Sequence, residues 1–299
     1  MAAIAYVTDE NMLEYHRLHG SHSIAFWRLS SKKFSDFKPG DLLFFLARDF
    51  NGPRREKGLS GYGQFVTDTS LTISSMWNRY KQATGYGSRE ELEDAVIKSC
   101  KSETLPEKIG CLLLDKVVFF QSPIYLSDLG YKVPNKLESF MYLDKNNGAQ
   151  TLKILSAARK VGLSSWSLMA NENISEDLFE QQLLKYNIAT VLENYDLHRL
   201  MNEKTAAHIC SEISGVEWVD SRHCFLISYE PETVFFLFDS SAKRKNENFF
   251  WALGMLASLR IELDRVLDTE VGIKMISRIP MTENEKVLLE QNRIGLIEG

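Results

Sequence analysis

The chain has 299 residues, of which 44% are apolar and 25% charged, a composition that excludes a disordered or fibrous protein and suggests two domains. No apolar run approaches the ~20 residues that cross a bilayer, and Met1 to Val7 carries no basic leader, so no membrane partner and a cytoplasmic location are expected. The net charge of -5 disfavours a broad phosphate-binding surface, and the dispersed Cys100, Cys111, Cys210 and Cys224 indicate neither a zinc knuckle nor a disulfide framework.

In chain order, alternating apolar runs predict strands over 4–7, 23–28, 41–47, 59–66 and 111–120, separated by turn chemistry such as Pro39-Gly40. Helices are predicted over 73–83 and after Ser88, where Ser88 and Glu91 form a capping-box pattern. Short strands that close on themselves around inserted helices suit a small β-barrel, whose mouth can admit one flipped base. The loop from Arg48 to Lys57 holds Arg54, Arg55 and Lys57, a local phosphate-binding candidate despite the acidic total. Lys243-Arg244-Lys245 is a second basic cluster. His16, His19 and His22 recur every third residue; they are either one metal-binding face or a solvated helix end.

A helix over 150–161 precedes the polar stretch at Ser164-Ser165-Trp166-Ser167, and the join is expected near 165, giving domains 1–165 and 166–299. Beyond it the periodicity predicts helices over 176–192, 203–213 and 248–263, and strands over 216–219, 224–228, 234–238, 271–277 and 294–297. Thr282 and Glu285 mark one more helix start. The fold class is α+β: a barrel followed by an α/β layer. No nucleophile elbow, P-loop or dinucleotide fingerprint is present.

The blocks Phe26-Trp27-Arg28, Lys38 to Phe45, Ser60 to Val66, Ile73 to Trp77 and Ile109 to Leu114 together resemble the PUA-like, EVE-related domain at the N-terminus of HNH-type, modification-dependent restriction endonucleases. The resemblance covers roughly 20–155, and no HNH signature follows it. It implies a pocket for a modified base, with Phe26, Trp27, Arg28, Ser60 and Tyr62 as base-binding candidates and Trp77 as core.

From 176 to 299 the order of elements resembles the restriction-endonuclease-like PD-(D/E)XK fold. The resemblance implies Mg²⁺ held by acids on adjacent strands. Asp239 stands at the acid position as metal ligand, with Asp220 or Glu230 as second catalytic acid. Ser241 occupies the expected lysine position, and Lys243 is the nearest replacement. The domain is therefore a degenerate, non-cleaving module, a divergent Mg²⁺-dependent nuclease, or an unrelated α/β layer. No other cofactor is implied. Expected partners are DNA with modified bases, or alternatively RNA, together with a second copy of the chain or a separate effector subunit. A purely structural assembly role using Phe249, Phe250 and Trp251 is the remaining reading.

Overall fold

The computed structural model of the protein describes residues 2–48, 56–100, 104–134, 136–145, 148–164, 174–195, 203–220, 224–240, 244–267 and 269–298. Arg54, Arg55, Trp166, Ser241 and Lys243 lie outside the described residues, and for Asp220 only the backbone is described. The chain is mixed α+β and divides into two compact units, Met1–Gln182 and Leu183–Gly299. The division falls later than the expected join at 165, inside a helix spanning Ile174–Leu192.

The first unit holds β1 (Ala3–Val7), α1 (Glu10–Leu18), β2 (Ile24–Arg28), β3 (Leu42–Arg48), β4 (Lys57–Leu71), α2 (Ile73–Tyr80), α3 (Arg89–Cys100), β5 (Ile109–Ile124), β6 (Phe140–Asp144) and α4 (Ala149–Val161). Its strands form one sheet in the order β2-β5-β4-β3-β1-β6, with β1 parallel to β3 and the other pairs antiparallel. In a flat sheet β2 and β1 would stand four strand spacings apart, roughly 19 Å. The Tyr6 and Phe26 rings are 5.1 Å apart, so the sheet curls until its two ends meet. Register shifts along β4–β5 supply the bend, since each bulge adds local twist. At Gly61 the two strands approach so closely that a Cβ would stand 2.3 Å from the Val118 carbonyl oxygen.

Among the described residues β2 and β6 share no ladder, so the expected barrel is open along one seam. Side chains fill it: Phe34 meets Phe140 edge-on at 4.8 Å, and Phe140 stacks on Tyr6 at 5.9 Å. The interior is built from Ile4, Phe26, Leu43, Phe45, Leu112 and Phe119. Phe44, alternating with Leu43 and Phe45 along β3, faces Tyr62 on the other side of the sheet. Asp144 fixes α4 by accepting from Thr151 N at 2.7 Å and Thr151 Oγ1 at 2.6 Å.

The second unit continues from the helix over Ile174–Leu192, here α5, with α6 (Glu203–Glu212), β7 (Val216–Asp220), β8 (Phe225–Tyr229), β9 (Glu232–Phe238), α7 (Lys245–Val266), β10 (Gly272–Ser277), α8 (Glu283–Gln291) and β11 (Ile294–Glu298). Its sheet runs β11-β10-β9-β8-β7, antiparallel from β7 to β9 and parallel from β9 to β11. Phe236 and Phe238 pack on Trp251 and Phe249 of α7 at 6.3 and 6.5 Å. Phe235 and Leu237, on the opposite face, cluster with Ala206 and Ile209 of α6. Covering on both faces explains why β9 reads as an unbroken apolar run.

A candidate nucleic-acid interface on the first unit

A groove of about 590 Å³ in the first unit lies between α1 and the β3, β4 and β5 strands. Helix α1 starts at Asp9, whose carboxylate accepts from Met12 N at 3.0 Å. Met12 and His16 turn into the protein, which leaves Glu10, Glu14 and Arg17 along the groove. Arg17 grips Glu14 through two hydrogen bonds, from Nε at 2.9 Å and Nη2 at 2.7 Å. The hydrogen bonds hold the Glu14 carboxyl below its ordinary range.

The facing wall comes from a slip between two strands. Leu59 pairs with Ile124 and Gly61 with Phe119, so Ser60 alone stands opposite the stretch 120–123. That stretch is held out of register by backbone bonds from Gln121 N to Gly162 O at 2.8 Å and from Ser164 N to Phe119 O at 2.9 Å. Ser60, Gln121 and Pro123 thereby reach the groove, together with Ala47 and Arg48 of β3. Leu13, Ala47, Phe119 and Phe120 supply an apolar floor, while Asn11, Glu14, Ser60 and Gln121 supply polar groups at its rim. A concavity of this size, lined by both apolar and polar groups, has room for a ligand as small as one nucleobase.

Of the base-binding candidates, only Ser60 lines this groove. Phe26 is 1% exposed and fills the barrel between Tyr6 and Phe45, so no base can stack on it without emptying the core. Trp27 points to the opposite face of β2, 8% exposed and 6.5 Å from Tyr86. Tyr62 is fully buried between Phe44 and Phe120, at 5.7 and 6.2 Å, and burial together with the nearby Glu180 charge pushes its phenol far up. Sequence neighbours in a strand face opposite ways, which is why the aromatic run does not make one platform.

Arg28 lies at the barrel seam, 5% exposed, with its guanidinium 4.4 Å from the centre of the Phe34 ring and Nη2 donating to the Lys32 carbonyl. Burial lowers its pKa, against the Tyr6 and Asp68 charges and the Tyr6 hydrogen bond. Its place is that of a seal between β2 and β6.

The basic hairpin begins at Arg48, which pairs with Lys57 across β3 and β4 and is exposed at the groove. Lys57 is tied down, its ammonium donating to the Leu137 carbonyl. Burial and the Arg48 charge lower its pKa, with Glu138 opposing. Lys57 is thus engaged within the protein, whereas its cross-strand partner Arg48 is exposed.

His16, His19 and His22 do not converge on a metal. His16 is buried with Nδ1 3.0 Å from Ser21 Oγ, whereas His19 stacks outside on Tyr15 at 4.1 Å. Among the described residues no group of three or more His, Cys, Asp or Glu could hold a metal ion.

In the second unit Asp239 follows β9 and Glu230 follows β8, but the Tyr229–Glu232 pairing puts Glu230 at the far end of the sheet. The seven steps from Glu232 to Asp239, at the rise of a strand, span roughly 23 Å. Glu230 cannot share a cation with Asp239. Asp220 is level with Phe225 and Phe236, at the same end as Asp239. Two strand spacings and three residues of rise still separate their backbones by about 14 Å. The described acids do not fit an Mg²⁺ site.

No protein-family model matches the chain. A UDP-N-acetylmuramoylalanine--D-glutamate ligase of Prochlorococcus marinus (strain MIT 9312) is 28% identical over 114 residues, which cover 36% of this chain and 23% of the ligase. The chain thus spans under a quarter of the length of that relative. Among solved structures, ASCH from Zymomonas mobilis is similar over 52% of this chain and 94% of its own, with 16% identity and a TM-score of 0.36. A point mutant of the same protein gives 52% and 96% coverage, 16% identity and a TM-score of 0.37. No helix among the described residues is long and apolar enough to cross a membrane.

Proposed function

We propose that the first unit binds nucleic acid and seats one unstacked base in the groove between α1 and the sheet, with DNA carrying a modified base as its ligand class. The observation that carries this reading is the slipped stretch 120–123 opposite Ser60, which opens an apolar-floored groove beside the basic β3–β4 hairpin. Arg48, with Arg54 and Arg55 shortly after it in the sequence, takes the backbone, and Glu14, Asn11, Ser60 and Gln121 meet the base edge. Extruding a base costs a few kcal/mol, which hydrogen bonds at the rim and burial against Leu13, Ala47 and Pro123 offset. One added methyl on that floor is worth about 0.8 kcal/mol, roughly a fourfold preference, so sharper discrimination requires the polar rim. The second unit recruits or assembles rather than cleaves, and the whole serves a prokaryotic defence system that reads foreign or modified DNA.

The test is binding to matched single- and double-stranded DNA and RNA with unmodified, methylated, hydroxymethylated and glucosylated cytosine. Preference for one modified DNA is expected. Ser60→Trp, which fills the groove, should weaken that binding about tenfold or more, given ~1–3 kcal/mol per seated base, without lowering the melting temperature. Arg54→Ala with Arg55→Ala should weaken every ligand alike and flatten the salt dependence. Equal affinity for all DNA ligands, unaffected by Ser60→Trp, overturns the base-seating reading. Tighter binding to the matched RNA assigns the groove to RNA.

A further inference from the structure

The outward face of α7 is unusual for a solvated helix. Its inward face is packed, with Phe249, Ala252, Leu256, Leu259 and Leu263 buried. On the opposite side, at helical spacing, run Glu247, Phe250, Gly254, Ser258, Ile261 and Arg265, all exposed. Phe250 and Ile261 are 59% and 68% exposed, and charges stand only at the two ends of the stripe. A single exposed apolar side chain needs no explanation. Two of them framing a small-residue centre, three turns apart, present a continuous surface.

Gly254 is the second observation. A glycine within a helix costs up to about 1 kcal/mol relative to alanine, and here a Cβ would meet nothing within 4 Å. Among the described residues no contact requires it. A helix from outside that crosses closely at Gly254 and Ser258 does, because small residues let two backbones approach.

We infer that this face is a homodimer seam, on which a second copy of the chain lays its own α7 antiparallel about a two-fold axis level with Leu256. The sequence is self-complementary about that point. Gly254 lies against the partner copy's serine at the crossing, Phe250 packs beside the opposing isoleucine, and the acidic and basic ends of the stripe meet. Glu247 and Arg265 are about 27 Å apart along one helix, so a parallel pair would set like charges together whereas the antiparallel pair sets opposite ones. Arg265 now bonds Glu262 at 2.7 Å but is 73% exposed, and it can exchange that partner. Isologous two-fold contacts of this kind are the commonest way for identical chains to associate. One helix pair buries less than the ~1,600 Å² of a standard interface, so association is concentration-dependent.

Sedimentation velocity and light scattering on the full chain test this. Wild type should pass from monomer to dimer as concentration rises through the micromolar range. Gly254→Leu and Ile261→Asp should each remain monomeric with unchanged circular dichroism and melting. If Gly254→Leu misfolds, Ser258→Arg on the same exposed stripe replaces it. Glu247→Arg should weaken the dimer about tenfold, and Glu247→Arg with Arg265→Glu should restore it. A wild type that stays monomeric to its solubility limit, or a dimer untouched by Gly254→Leu and Ile261→Asp, overturns the seam. Failure of the double exchange to restore a dimer that the single change broke overturns the antiparallel arrangement.

Discussion

The His16 imidazole lies wholly inside the protein, and burial, helped by the neighbouring His19 charge, drives its pKa from 6.5 down to about 4. Such a group is neutral in the folded chain and protonates first in the unfolded one. The stability that His16 contributes in its neutral form is thus complete above pH 6.5, declines as the pH falls toward 4 and is gone below it, about 3 kcal/mol from this group. Urea midpoints measured across that window should therefore fall for wild type and fall less for His16→Gln; parallel curves would show that His16 is not the responsible group. The same residue marks what single-residue patterns convey. A three-residue histidine repeat reads equally as a metal face or as a helix with one ring turned inward, and only the packing of Met12 and His16 against Gly85 decides between them. Phe26, Trp27 and Arg28 are alike in this respect: their chemistry is plain from composition, but which face each occupies depends on where β2 lies in the sheet.

Helix starts show how local information succeeds and where it slips. Thr282 and Glu285 form the expected reciprocal box, with Thr282 N donating to Glu285 Oε2 at 2.6 Å and Glu285 N to Thr282 Oγ1 at 3.3 Å. Lys245, at the start of α7, adds a bond to Glu285 Oε2 at 2.9 Å, which joins the N-termini of two helices. Burial raises the Glu285 pKa, but the Lys245 and Thr282 hydrogen bonds outweigh it and the net shift is downward. At Ser88 only half of the pattern holds: Glu91 N donates to Ser88 Oγ at 3.2 Å, but the Glu91 carboxylate accepts from Gly87 N, one residue earlier. Thr282→Ala should accordingly cost more than Ser88→Ala in a thermal melt, about 1–2 kcal/mol against about 0.5; equal losses would remove the distinction. Most strands of both units were legible because β4, β5, β8 and β9 are long or strongly apolar runs. The segment Phe140–Asp144 escaped notice, since its first three residues are only half-buried and nothing local announces that its partner is β1. The groove escaped for a related reason. It depends on a register slip between β4 and β5, and no pattern within either strand records a mismatch between them.

At the scale of the whole molecule, charge and topology restrict what the chain can do. A net charge of -5 leaves few cations such as Arg48 for the proposed phosphate contacts, so binding should fall only shallowly with salt, and any selectivity must come from the groove rather than from the backbone. The expectation of a nuclease in the second unit rests on the order of its elements in the sequence alone, and Glu230 and Asp239 occupy opposite ends of its sheet. Two-metal and one-metal hydrolysis both need oxygen ligands that converge. Purified protein with Mg²⁺ or Mn²⁺ should leave modified and unmodified plasmid DNA uncut, as read on a gel. Cutting that Asp239→Asn abolishes, with binding intact, would return the unit to catalysis. A dimer through α7 would give each assembly two copies of the proposed base-binding groove, and tethering them would raise apparent affinity without any new contact.

The position of β1 has a consequence in time. It is synthesised before both of its neighbours in the sheet, β3 and β6, and its second edge stays unsatisfied until Phe140–Asp144 has been made. At ~5–20 residues per second that wait is on the order of ten seconds, during which Ala3–Val7 is an apolar edge open to wrong partners. Slowing translation before Phe140 should therefore lower the yield of folded protein more than the same delay placed after Asp144.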